Sequence, residues 1–323
     1  DAAQLASRVM KLYRTERVGA KAAVVFARAS LAQHRREVEA ARHIAATSLL
    51  DSLVIELELF LQSFRDQEEY VPILLLVAEV QRRRGKPDFI LDAIAQVEAV
   101  VDPILLPADQ WTSTTFLRGA AMTMLGNYDA GRERLWQFLR MAPKDERVGV
   151  AWLTIAQAEL PRDALQALFA ARKAAEQNAF LSAAERGLAL TIEAKAALRL
   201  GDTDGAVDRL ERVIRERGPS NVPDLAVEVG LAFLAHGSFE RAKAILRPLQ
   251  DDVGIHADRA RVIILEAESR QGQPSAVVRL AARFAARTVD SVSQVRIATL
   301  TGDAYAALGL ATEAARAYDG RIR

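Results

Sequence analysis

The sequence predicts an all-α protein of stacked antiparallel helix pairs, and three observations predict it. Half of the 323 residues are apolar but only 6% are aromatic, a composition suited to helices packed on small side chains. Glycines recur where helical stretches end, at Gly85, Gly126, Gly201, Gly237, Gly272 and Gly309. Glu159 stands where a further one would fall, and the successive intervals are 41, 33, 42, 36, 35 and 37 residues. Small residues repeat around these points. Ala78, Gly119, Ala194, Gly230 and Gly302 lie seven residues before the turn, and Gly131, Ala164, Ala206, Ala242 and Ala314 lie five after it. Two crossing helices touch at such positions, where a large side chain would push their axes apart.

Residues 1–69 carry helical patterning without this punctuation. Leu5, Val9, Met10 and Tyr13 share one face of a first helix, and Val18–Gly19 reads as a break. A run from Ala20 to about Ala46 has neither Pro nor Gly. Leu53–Phe64 is apolar on most faces, so it reads as buried. The region is expected to hold two or three helices, either divergent repeats or a cap, because the end of a stack must cover its apolar face. From residue 70 to 319 the spacing gives about seven repeats, the last at 291–319. The two long intervals place inserted loops near Asp102–Ala108 and Gln177–Ser182, and Gly218–Asn221 reads as a turn between repeats.

The last repeat carries Gly302-x₂-Tyr305-x₃-Gly309-x₄-Ala314-x₃-Tyr318. This spacing resembles the tetratricopeptide repeat (TPR), and Leu125-Gly126-Asn127-Tyr128-Asp129-Ala130 and Pro143 resemble its turn and its end. The resemblance covers about three-quarters of the chain. It implies a right-handed superhelix whose first helix in each pair, helix A, lines a concave groove. Projected onto this chain, the groove positions include Glu79, Arg82, Phe116, Thr123, Lys195, Arg259, Glu266, Arg296 and Asp303. Trp111, near a helix start after Pro107-Ala108-Asp109, is a further candidate to anchor a partner. Charge reversal at Arg82, Lys195 or Arg259 is expected to weaken binding and spare folding.

Several chemistries find no residues to carry them. There is no cysteine, and the four histidines, His34, His43, His236 and His256, have no metal-ligand spacing. No cofactor, metal or catalytic residue is therefore expected. The carboxylate pairs Glu56/Glu58 and Glu68/Glu69 do not share a helical face, as acid–base work requires. A net charge of +1, from 43 basic and 42 acidic side chains, gives no footprint for nucleic acid. No apolar run approaches the roughly 18 residues of a membrane span. The Lys and Asn clamp by which some TPR proteins grip a terminal carboxylate is missing, because Asn127, Asn178 and Asn221 all fall in turns. The Arg279, Arg283 and Arg287 stripe reads as solvated charge on an outer helix.

The expected function is a non-enzymatic scaffold or adaptor holding a segment of a protein partner in its groove. By analogy with bacterial solenoids, an envelope-type assembly is the favoured setting, and the periplasm is favoured over the cytoplasm. A homo-oligomer is compatible with the chain. The alternatives are a ligand-sensing helical-repeat regulatory domain, since the 41- and 42-residue intervals resemble such sensors, and the superhelical arm of an enzyme whose catalytic domain lies elsewhere.

Overall fold

A computed structural model describes residues 2–40, 42–64, 67–177, 179–202, 204–209 and 222–322. Among these residues every regular element is helical, and no helix is long and apolar enough to cross a membrane. The chain divides into two compact units, Asp1–Ala189 and Leu190–Arg323.

The first unit begins with α1 (Ala2–Leu12), α2 (Arg17–Glu39) and α3 (His43–Ser63), followed by the pairs α4 (Gln67–Arg83) and α5 (Pro87–Val100), α6 (Ala108–Met124) and α7 (Tyr128–Met141), and α8 (Val148–Glu159) and α9 (Ala164–Glu176). A 3₁₀ turn, Pro103–Leu105, fills the first long interval. Helix α10 (Ala183–Arg199) carries the chain into the second unit. There residues 204–209 are helical, and the pairs are α11 (Pro223–Ala235) with α12 (Phe239–Leu246), α13 (Ile255–Arg270) with α14 (Pro274–Arg287), and α15 (Ser291–Ala307) with α16 (Ala311–Tyr318). Each helix packs on its pair partner. In addition α2, α4, α6 and α8 pack on one another in sequence, as do α11, α13 and α15. These form the helix-A layer of each unit.

The glycine punctuation has a local cause. Gly85, Gly126, Gly201, Gly237, Gly272 and Gly309 all take φ between +68° and +83°, the left-handed region that a Cβ disfavours. This conformation lets the next amide reach back to the last helical turn, as Asn127 N–H does to the Met122 carbonyl at 2.9 Å and Leu310 N–H to Tyr305 at 2.9 Å. The pair at Glu159 needs no glycine. Its carbonyl accepts the Arg162 and Asp163 amides, both at 2.8 Å. The Asp163 carboxylate then caps α9, accepting from Leu165 N–H at 2.9 Å and Gln166 N–H at 3.1 Å.

The small positions are close approaches. A Cβ on Gly131 would lie 2.3 Å from Thr123 Oγ1, 2.8 Å from Thr123 N and 3.0 Å from the Gly119 carbonyl oxygen. On Gly230 it would lie 2.6 Å from a Leu246 methyl. Where this position carries Trp152 instead, the indole stands edge-on to Trp136 at 4.9 Å and to Phe169 at 5.6 Å.

Near the N-terminus two expectations are corrected. The break falls at residues 13–16, and Gly19 lies inside α2. Glycine is required there because a Cβ would sit 1.9 Å from the Tyr13 carbonyl oxygen. Helix α2 also stops at Glu39, well before Ala46, in a stretch with no Pro or Gly to signal the stop. The Gly218–Asn221 turn and Asn178 lie outside the described residues.

Candidate functional site

In the first unit, arginines tie parts of the helix-A layer together. Arg82 on α4 grips Glu79 with two hydrogen bonds, Nε to Oε2 at 2.8 Å and Nη2 to Oε1 at 2.9 Å, and Arg83 Nε adds a third to Oε1 at 2.8 Å. The Arg82 guanidinium also lies 5.5 Å from the Phe116 ring centre, and that of Arg147 lies 5.3 Å from it. Arg147 is fixed by Asp145, Nε to Oδ1 at 2.8 Å and Nη2 to Oδ2 at 2.7 Å, and by Ser113 Oγ at 2.9 Å. Phe116 and Thr123, both projected to line the groove, are buried. Phe116 sits against these two cations, and Thr123 donates its hydroxyl to the Gly119 carbonyl at 2.9 Å. Trp111 is half-buried in the first turns of α6.

The expectation that Arg82 can be reversed without harm to the fold is therefore revised. Reversal would bury a carboxylate against Glu79 and strip Phe116 of one of its cations. Burial alone would raise the Glu79 carboxyl, but the charges and hydrogen bonds of Arg82 and Arg83 outweigh it and bring it from 4.5 to about 2. A carboxyl whose folded pKa is depressed adds stability that is complete above its unfolded pKa. That stability is lost as pH falls towards the folded value. The stability of this unit is thus expected to decline between pH 4.5 and about 2. Glu79→Gln should flatten that decline in denaturant midpoints measured across the window. Equal slopes for parent and variant would contradict the assignment.

In the second unit the helix-A layer carries exposed charges. Its charges tie neighbouring helices together: Lys195 on α10 meets Asp224 at 2.8 Å and Glu228 at 3.4 Å on α11, and Arg296 on α15 meets Glu266 on α13 at 3.3 Å. Burial by itself would lower the Lys195 ammonium, but its bond to Asp224 and the two acids raise it. Glu266 also holds Arg270 at 2.7 Å. Asp303 is exposed and accepts the Tyr318 hydroxyl at 2.7 Å. Arg259 is exposed, and among the described residues its side chain makes no hydrogen bond or ion pair, though its charge acts on the Asp290 carboxylate.

Between these charges lie apolar side chains that the sequence reading missed. Val292 is 75% exposed, Val295 67% and Ile255 51%. On α13, Ile255, Arg259, Val262 and Glu266 follow one stripe, and on α15, Val292, Val295, Arg296, Thr299 and Asp303 follow another. The stripes are neighbours: Asp258 accepts the Val289 and Asp290 amides at their upper end, and Glu266 meets Arg296 further along. The available signal was the surplus of valines off the core stripe of α15, where Ile297, Leu300 and Ala304 are the buried apolar set.

The platform beneath is rigid. Arg261 is 1% exposed. Its Nε donates to the Gln250 carbonyl at 2.8 Å, its Nη1 to Asp258 Oδ1 at 2.6 Å and to the Arg287 carbonyl at 3.0 Å, and its Nη2 to the Asp252 carbonyl. Asp258 Oδ2 accepts Val289 N–H at 3.1 Å and Asp290 N–H at 2.9 Å. One buried ion pair thus fastens the loop before α13 to the loop before α15. On the outer helix α14, Arg279, Arg283 and Arg287 are exposed. No group of His, Asp and Glu among the described residues is arranged to hold a metal ion.

No protein-family model matches the chain, and no curated protein matches it. Solved structures do. The apo form of RapI is 10% identical, covering 92% of this chain and 96% of its own, with a TM-score of 0.64. The apo form of the quorum sensor NprR from B. thuringiensis is 13% identical over 91% of this chain and 97% of its own, with a TM-score of 0.56. NprR in complex with its cognate peptide NprX is 14% identical over 89% of this chain and 86% of its own, with a TM-score of 0.51. At such identities the likeness is one of fold, and with the glycine turns and small-residue crossings described above it gives this chain the architecture of a TPR-like α-solenoid.

Proposed function

We propose that the protein is a non-enzymatic interaction scaffold whose helix-A layer in the second unit holds a segment of a protein partner. The observation that carries this reading is the exposure of Ile255, Val292 and Val295 among Arg259, Arg296 and Asp303 on adjoining stripes. Such a face offers apolar burial for affinity and charges for register. The complex of NprR with its peptide NprX, on a similar fold, supports a peptide-like segment as occupant. Membership of a bacterial envelope-type assembly is the setting we favour. A second reading, a ligand-sensing regulatory domain, draws support from the likeness to a quorum sensor over nine-tenths of the chain.

Affinity capture compared between variants tests the scaffold reading. Val292→Asp with Val295→Asp should abolish capture of the proteins that the parent retains. Arg279→Glu with Arg283→Glu, on the outer helix, should leave capture unchanged. Loss with the outer pair and retention with the valine pair would place the working surface elsewhere.

A further inference from the structure

We infer that the valine platform beside Arg259 selects a partner segment that joins apolar side chains to a carboxylate, the carboxylate docking on the Arg259 guanidinium. This rests on the scaffold reading above and names the chemistry of its partner.

Three observations lead there. The first is concentration. Val253, Ile255, Val289, Val292 and Val295 are all more than half exposed, and they occupy two loops and two helix starts that one buried ion pair fastens together. Exposed apolar residues scattered singly need no explanation, whereas a clustered group marks a contact surface. The second is preorganisation. The backbone under the cluster is held at the Gln250, Asp252 and Arg287 carbonyls and at the Val289 and Asp290 amides. The side chains above it are mostly valines, with a single stiff torsion each, so docking costs little ordering on this side.

The third is charge. Around the cluster Arg296 is held by Glu266 and Arg287 by Asp251. The Asp290 carboxylate, which feels the charge of Arg259, accepts the Ser293 amide at 2.9 Å. Among the described residues the Arg259 guanidinium has no hydrogen-bond acceptor. It stands between Ile255 and Val262 on one stripe, with its charge felt by Asp290, the N-cap of α15. A guanidinium with open donors inside an apolar patch is matched by a carboxylate, which it can bind through two parallel hydrogen bonds.

The test is a phage-displayed library of random peptides, panned separately on the full chain and on its Arg259→Glu variant, both checked for an unchanged melting transition. The parent should enrich peptides combining Val, Ile, Leu or Phe with Asp or Glu. Those peptides, synthesised, should bind Arg259→Glu about tenfold more weakly or worse. Replacing their acids with lysine should restore binding to the variant and not to the parent. Enrichment of basic or uncharged peptides by the parent, or equal binding to both proteins, would overturn the inference while leaving the scaffold reading in place. A dimer of the chain that Val292→Asp dissolves would overturn it too, by making a second copy the occupant. If neither protein enriches any peptide, the scaffold reading itself falls.

Discussion

Replacing Arg261 with methionine should destabilise the second unit by about 3–5 kcal/mol, the range for removing one partner of a buried ion pair. The side chain removed has five donors, and four of their acceptors are known: the carbonyls of Gln250, Asp252 and Arg287 and the carboxylate of Asp258. Methionine fills much of the space but donates nothing. The Asp258 carboxylate, 2% exposed, would then be left buried with only two amides to satisfy it. Denaturant unfolding followed by circular dichroism measures the loss. Because the pair fastens two loops, the double variant Arg261→Met with Asp258→Leu should not recover the parent's stability, since three carbonyls would still lack their donor. A change below about 0.5 kcal/mol for the single variant, as for an exposed charge, would show that Arg261 is not buried as described.

The second large effect is expected from adding one methyl group. Gly131→Ala should cost about 1–3 kcal/mol by overpacking. The new Cβ would lie 2.8 Å from Thr123 N and 3.0 Å from the Gly119 carbonyl oxygen. Both are backbone atoms of a packed helix, so α6 and α7 must move apart as bodies. Gly302→Ala is the internal comparison. There the Cβ would meet the Tyr318 ring at 2.3 Å, but that side chain is half exposed and can swing away, so its cost should be clearly smaller. Thermal melts of both variants measure the order. Equal melting of Gly131→Ala and the parent would contradict the close crossing of α6 and α7.

How much of this was legible in the sequence depends on how local the cause is. The turns at Gly85, Gly126, Gly201, Gly237, Gly272 and Gly309 require a positive φ, a demand made by one residue on itself, and the spacing displayed it. The crossing positions were legible because they repeat. The Arg261–Asp258 pair was not: an Asp and an Arg three residues apart on a helix read as an ordinary surface pair. Only the convergence of two loops, 250–254 and 287–290, buries them. The valines failed for the converse reason. On α15 a valine carries no mark of its own to say whether it faces core or solvent, and the fold turns Ile297 and Leu300 inward and leaves Val292 and Val295 outside. Phe116 and Thr123 were projected by position alone, which takes no account of two arginines stacking on the phenyl ring and filling that part of the layer.

On the proposed reading, the helix-A layer of the second unit is the working surface. Hydrogen exchange of the full chain, with and without a peptide selected on it, decides the matter. Slowed exchange should fall in the amides of Ile255–Arg270 and Ser291–Ala307, with Pro274–Arg287 on the outer side unchanged. Protection confined to Pro274–Arg287, or to the helices of the first unit, would contradict it.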